Sequence, residues 1–287
     1  MLASHRAVLI FWKSVWLVVW CIFFPAGLAA QSTVFPQWTA RFDAALLGDA
    51  PKAIAADSQG NTYVTGSACL GPDPCPNQEV VTIKYDADGH LQWKVWLSSP
   101  SHFAQPIGVA TDAAGNAYVL AQAFLVNQVN NTLSPEFVTA KYSPAGVRLW
   151  ICAIHETVRD DVPWKIAVSP AGNVYVTGTS SPNVFQPSTG FAPDLLTIKF
   201  DTNGNHVWER RRLVFTEFEP LAVAGMGLDS QENLYIAANG HQIDVPDGFI
   251  VKYDKNGTKL AEFKGLVAFN AVFHVDAQGN SYVGGHC

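Results

Sequence analysis

Apolar and polar residues alternate along short runs of this chain. Val81-Thr82-Ile83-Lys84-Tyr85-Asp86 is one such run, and it returns as Val138–Ser143, Leu196–Asp201 and Phe249–Asp254. A period of two marks a half-buried strand. A tight turn follows each run, closed by Gly89, Gly146, Gly204 or Gly257, with Asn256-Gly257 the strongest hairpin signal. The next strand carries Trp93, Trp150 or Trp208, and Ala261 stands at that place in the fourth copy.

Ahead of each run lies a second phrase. Pro51–Gly66 is its clearest form, and it recurs as Pro106–Ala121, Pro163–Gly178, more loosely as Pro220–Ala238, and finally as Phe269–Gly284. It reads as a short apolar strand, a turn, and a strand bearing Tyr63, Tyr118, Tyr175, Tyr235 or Tyr282. The turns are Asp57–Asn61, Asp112–Asn116, Ser169–Asn173, Asp229–Asn233 and Asp276–Asn280. Asp or Ser bonds its own backbone two residues on, and Gly takes the positive φ. Glu232 replaces that glycine in the fourth copy, which predicts a distorted turn there.

Four strands per unit, no helical periodicity and a period of about 55 residues specify an all-β repeat built of four-stranded antiparallel blades, a β-propeller. These motifs resemble the SBBP repeat family of exported bacterial and archaeal proteins. The matching residues are Pro51–Gly66 with Lys84-Tyr85-Asp86, and the later copies of both. The resemblance implies an extracytoplasmic propeller and supplies no catalytic residues. The fifth copy departs from it by stopping half-way.

Phase adds a question of closure. Trp38 precedes Pro51 by 13 positions, as Trp93 precedes Pro106 and Trp150 precedes Pro163. Gln37–Leu46 therefore reads as a fourth strand, and His274–Cys287 as a first and second strand without the rest. Two expectations stand: four full repeats with an imperfect blade shared between the two ends, or a chain incomplete at its C-terminal side. The protein is a monomer unless an open edge pairs.

Composition and charge narrow the partners. Hydrophobic residues make up 48% of the 287 and charged ones 15%, ample for a packed core. A formal net charge of −6 argues against nucleic acid or an anionic membrane surface. The basic run Arg210-Arg211-Arg212 reads as a solvated strand edge. Residues 1–30 carry His5, Arg6 and Lys13, an apolar stretch from Val15 to Phe24, and small residues up to Ala30. That order is a secretory signal, and its apolar stretch of about 10 residues falls short of a membrane span. The expectation is a secreted or extracytoplasmic domain over 31–287 with no span of its own.

In an exported chain the cysteines are disulfide candidates. Cys69 and Cys75 bracket a turn-rich loop and are expected to pair, while Cys152 reads as a buried free thiol. No Cys or His spacing suits zinc, and no cofactor is expected.

An up-and-down meander puts the short repeated turns on one face and the long divergent loops on the other. Loops on a rigid scaffold carry binding. The candidates on that face are His155, Glu156, Asp160, Asp161, Glu217, Glu219, His241 and Asp244, with Asp247 beside them. The expected function is a non-enzymatic scaffold for a protein, glycan or surface polymer. The alternative is a metal-assisted lyase or hydrolase whose acids and histidines converge at the channel mouth. No Gly-x-Ser-x-Gly elbow, phosphate loop or His-Glu-x-x-His sequence is present.

Overall fold

The computed structural model describes residues 37–42, 49–69, 78–98, 104–126, 133–154, 159–182, 193–213, 222–239, 241–242, 245–246, 248–265 and 271–285. The apolar leader lies outside them. All the strands among the described residues belong to one compact unit, Trp38–Cys287. Among the described residues no helix is long and apolar enough to cross a membrane.

The first sheet is the meander β1 (Ala50–Ala56), β2 (Thr62–Cys69), β3 (Gln78–Tyr85) and β4 (Leu91–Leu97). The second runs β5 (Ala104–Thr111), β6 (Ala117–Val126), β7 (Leu133–Tyr142) and β8 (Arg148–Ile154). The third is β9 (Arg159–Val168), β10 (Val174–Pro182), β11 (Asp194–Phe200) and β12 (His206–Leu213). In the fourth, β13 (Ala222–Leu228) and β14 (Leu234–Asn239) precede a two-residue ribbon, β15 (His241–Gln242) with β16 (Val245–Pro246). β17 (Phe249–Tyr253) and β18 (Lys259–Lys264) complete that sheet. β19 (Val272–Val275) and β20 (Ser281–Gly284) pair with each other as a fifth, two-stranded sheet. All pairing is antiparallel, as the repeat predicts.

Consecutive first strands β1, β5, β9, β13 and β19 pack on one another, so the core lies between sheets. Between the first two it gathers Tyr63, Val80, Val109, Val119 and Tyr142. This corrects one expectation. The third strands are buried on both faces, β3 and β11 almost throughout, because each sheet is sandwiched by its neighbours. The polar member of the alternation, Lys84, is itself buried. Its ammonium lies 5.2 Å from the Tyr63 ring centre and donates to Pro144 O, in the next sheet's turn, at 3.2 Å.

The tryptophans fasten the same joints. Trp38 Nε1 donates to Ala87 O at 3.1 Å, Trp93 to Pro144 O at 3.0 Å, Trp150 to Thr202 O at 3.1 Å and Trp208 to Lys255 O at 3.1 Å. Each ring lies on the turn glycine of the following sheet. At Gly146, with φ +81°, an added Cβ would meet Trp93 Cγ at 2.8 Å. The glycine thus serves both the left-handed backbone and the ring above it. Ala261 breaks the series where the following sheet is the two-stranded one.

Tyrosines close the turns between the first and second strands. Tyr63 OH donates to Asp57 Oδ2 at 3.0 Å or to Gly115 O of the next sheet at 2.9 Å, and Asn61 Nδ2 donates to the same Asp57 oxygen at 2.7 Å. Tyr118, Asp112, Asn116 and Gly172 repeat the arrangement. The third sheet has Ser169 in place of the aspartate, and its carboxylate comes from elsewhere. Glu232 accepts from Tyr175 OH at 2.7 Å and Asn173 Nδ2 at 2.8 Å, with Lys199 Nζ at 3.3 Å. The Glu232 turn is not distorted. It holds φ 64° and donates from its own N–H to Asp229 O at 3.0 Å, as the glycines do. The cost of a non-glycine left-handed residue is offset by the carboxylate it delivers.

Arg210, Arg211 and Arg212 are half-buried and engaged, not solvated. Arg210 donates to Gly257 O at 2.7 Å; Arg212 Nη2 meets Glu262 Oε1 at 2.7 Å and its guanidinium stacks 3.5 Å from the centre of Phe249. Cys152 is free and half-buried, its thiol pushed up by burial and by the Asp201 carboxylate. Cys69 is disulfide-bonded; Cys75 lies outside the described residues.

The sheets do not close into a ring among the described residues. β19 and β20 pair only with each other, and Trp38 is seated on the first sheet instead of extending them. Ile54 of β1 is 70% exposed, whereas Val109 at the same repeat position is 8% exposed. Tyr282 is 56% exposed, whereas Tyr63, Tyr118 and Tyr175 are fully buried.

Candidate functional site

Each of the four first strands of the complete sheets carries a one-residue irregularity. Pro51 faces Gly66 and Ala53 faces Thr65, so Lys52 has no register partner. Ile107, Trp164 and Ala224 are skipped in the same way. Proline cannot donate to the ladder, so a strand that meets one is prone to a bulge. In three sheets the skipped residue follows Pro51, Pro106 or Pro163. Bulges re-aim a side chain, and they concentrate beside binding and active sites. Here one repeated frame presents four different side chains, on the strands that pack on one another.

Two of them are polar or exposed in an unusual way. Trp164 is 37% exposed, and its indole N–H donates to Thr179 Oγ1 at 3.3 Å, which holds the ring in place. Its neighbour Lys165 is pushed down in pKa by burial and further by the ammonium of Lys52. Lys52 lies two sheets away, so the first strands bring these cations into mutual range.

The start of β9 carries the densest charge. Arg159 donates from Nε to Ser180 Oγ at 2.7 Å and from Nη2 to Asp194 Oδ2 at 2.6 Å, and Arg211 Nη1 reaches the same Ser180 Oγ at 2.9 Å. Burial raises the Asp194 pKa, and the two guanidinium groups only partly offset it. Asp160 is half-buried and Asp161 fully buried, both within β9. They are strand residues and not solvated loop charges, because β9 begins at Arg159. His155, Glu156, Glu217, Glu219, Asp244 and Asp247 lie outside the described residues. His241 lies in β15, its backbone opposite Pro246.

An acid at the start of the third strand was missed in the sequence. Glu79, Glu136 and Asp194 are all buried, and Glu79 accepts from Ser98 Oγ at 2.6 Å. The signal was an acid two residues ahead of each alternating run. Among the described residues the group able to offer a metal three ligand atoms is Asp86, Asp88 and His90, within 4.8 Å of one another. It sits in an exposed turn, where Asp86 Oδ1 accepts from the Asp88 and His90 N–H groups at 3.0 and 2.8 Å and Oδ2 accepts from Gln92 at 2.7 Å. Those bonds make Asp86 a turn cap like Asp201 and Asp254.

The His274 ring is exposed beside Tyr282, 6.4 Å between ring centres. No family model matches the chain, so the SBBP resemblance is carried by the repeat motifs alone, and no curated protein is similar to it. Solved structures are similar in fold. An ulvan lyase, described as a new family of polysaccharide lyase, superposes with a TM-score of 0.50 at 13% identity over 80% of this chain, which spans 62% of that protein. A protein of unknown function from Dyadobacter fermentans gives 0.50 at 11% identity, over 78% of this chain and 71% of its own. The likeness extends to an all-β, propeller-like arrangement of antiparallel sheets.

Proposed function

We propose that this chain is an exported propeller scaffold of the SBBP repeat kind that binds an acidic polysaccharide where its first strands converge. Trp164, Lys52 and Lys165 are the residues that read the polymer. The observation that carries this is the fixed, partly exposed indole of Trp164 on a bulge. A flat aromatic surface with an anchored N–H suits the apolar face of a sugar ring, and aromatic anchors dominate binding surfaces generally. Lys52 and Lys165 repel each other, so a carboxylate or sulfate placed between them relieves that repulsion; in a chain of net charge −6 such a cationic pair runs against the trend. That an ulvan lyase shares the fold supports a polysaccharide as the class of ligand. The chemistry is binding without bond cleavage.

Affinity electrophoresis or calorimetry against uronate-bearing, sulfated and neutral polysaccharides tests this. Binding is expected for the charged polymers, weakened about tenfold or more by Trp164→Ala and by Lys52→Ala with Lys165→Ala, and weakened by added salt. Trp164→Ala without effect sinks the site. Binding lost instead on substituting His155, Glu156, Glu217, Glu219, His241 or Asp244 moves it to the loops. N-terminal sequencing of protein recovered outside the cytoplasm checks export, with cleavage expected near Ala30.

A further inference from the structure

We infer that the exposed face of the fifth sheet docks on the exposed face of the first sheet in a second copy of this chain, through the joint that already links consecutive sheets. Both halves of that joint are on display. On the fifth sheet, Tyr282 OH donates to Asp276 Oδ2 at 3.0 Å and Asn280 Nδ2 donates to the same oxygen at 2.8 Å. This is the arrangement by which Tyr63 and Asp57 engage the second sheet. There the tyrosine hydroxyl also lies 2.9 Å from Gly115 O, a buried turn carbonyl. Tyr282 is 56% exposed, and Val272 beside it on the same face is 73% exposed.

On the first sheet the receiving groups are equally bare. Gly60 corresponds to Gly115 and is exposed, and Ile54 corresponds to buried Val109 and is 70% exposed. The outer part of this face is occupied, because Trp38 already bonds Ala87 O and packs with Phe42 against Val81, Ile83 and Tyr85. What it offers is therefore the inner part alone. Among the described residues the fifth sheet consists of the inner strands β19 and β20. A partner with a complete four-stranded sheet would collide with Trp38, and one presenting β19–β20 would not. The two faces are the complementary halves of one repeated joint, so a second copy in head-to-tail contact supplies each with its partner. Such heterologous contacts extend beyond a dimer unless rotation closes a ring.

Sedimentation of the full chain across a range of concentrations tests this, with the variants Ile54→Lys and Tyr282→Lys. Both positions are exposed, so each variant should melt as the wild type does. Wild type should associate with rising concentration, and each variant should do so at least roughly tenfold more weakly. An equal mixture of the two should form a dimer and nothing larger, because each keeps one sound face. A wild type that stays monomeric overturns the inference, and so does a double variant, Ile54→Cys with Tyr282→Cys, that cross-links within a single chain. So does a variant that associates as wild type, or a mixture that fails to pair. None of these outcomes bears on polysaccharide binding at Trp164.

Discussion

Glu232→Gly would give the fourth sheet the turn residue found in the other four, yet it should destabilise the protein. The Tyr175 hydroxyl, which is buried, and Asn173 Nδ2 would both lose their acceptor, and Lys199 its counter-charge. A hydrogen bond to a charged group contributes roughly 1.5–3 kcal/mol, so two come to about 3–6. Releasing a non-glycine residue from φ 64° returns roughly 1–2 kcal/mol. The net expectation is a loss of about 1–5 kcal/mol, centred near 3, or a fall in Tm on the order of 10 °C. Ser169→Asp in that background should restore most of it, since Asp112 already serves Asn116 and Tyr118 from the equivalent position at 2.7 and 2.8 Å. Ser169→Asp alone should be harmful, because it sets a second carboxylate beside Glu232. Urea unfolding of the four proteins measures the coupling, expected at about 2 kcal/mol or more. Additive effects, or a neutral Glu232→Gly, would show that the carboxylate is not shared across the joint.

Gly146→Ala and Gly265→Ala both place an alanine near φ +80°, but only the first meets a ring, Trp93, while nothing lies within 4 Å of the second. Gly265→Ala should cost about 1–2 kcal/mol and Gly146→Ala at least about 1 kcal/mol more, and equal losses in denaturation would remove the close-approach argument. Acid should destabilise the fold. Burial pushes Asp57, Asp229 and Glu232 up, but the hydrogen bonds they accept from Asn61 and Tyr63, Asn233 and Tyr235, and Tyr175 and Asn173 hold each below its ordinary value. The unfolded chain then takes up protons first, so their contribution is complete above the ordinary carboxylate range and is lost as pH falls through the lowered values. Asp194 acts in reverse, since its raised pKa favours the folded state at low pH and that contribution fades as pH rises. With the lowered groups in the majority, the urea midpoint should drop between about pH 5 and about pH 3; a rising midpoint contradicts the assignment.

The repeat made the architecture legible because each copy specifies its own strands and turns through local chemistry. Asp57 with Asn61, or Gly89 at positive φ, acts within a few residues, and its effect can be read from a few residues. The common phase of Trp38, Trp93, Trp150 and Trp208 likewise foretold a shared position. The joints were not legible in the same way. Lys84 reads as the polar half of an alternating strand, yet it is buried, because a neighbouring sheet supplies the Pro144 carbonyl and the Tyr63 ring. Arg210–Arg212 reads as a charged edge, yet Gly257, Glu262 and Phe249 absorb it. Glu232 reads as a fault in its own turn and proves to be the carboxylate that Ser169 lacks, 63 positions earlier.

The candidate site divides along the same line. The acids and histidines of the loops stand out by residue type alone, and those that the structure places, Asp160, Asp161 and His241, belong to strands. Trp164 and Lys52 carried no signal beyond a preceding proline, because a bulge is defined by which residue on the partner strand is skipped. The sequence by itself determined the unit, its strand order and its turns, all set by alternation and backbone preference over a few residues. Only the tertiary structure decided which polar groups are buried, which side chains sit on bulges, and that the first and last faces stay open. Burial and exposure depend on groups some 50 or more residues away, brought into contact by the packing of one sheet on the next.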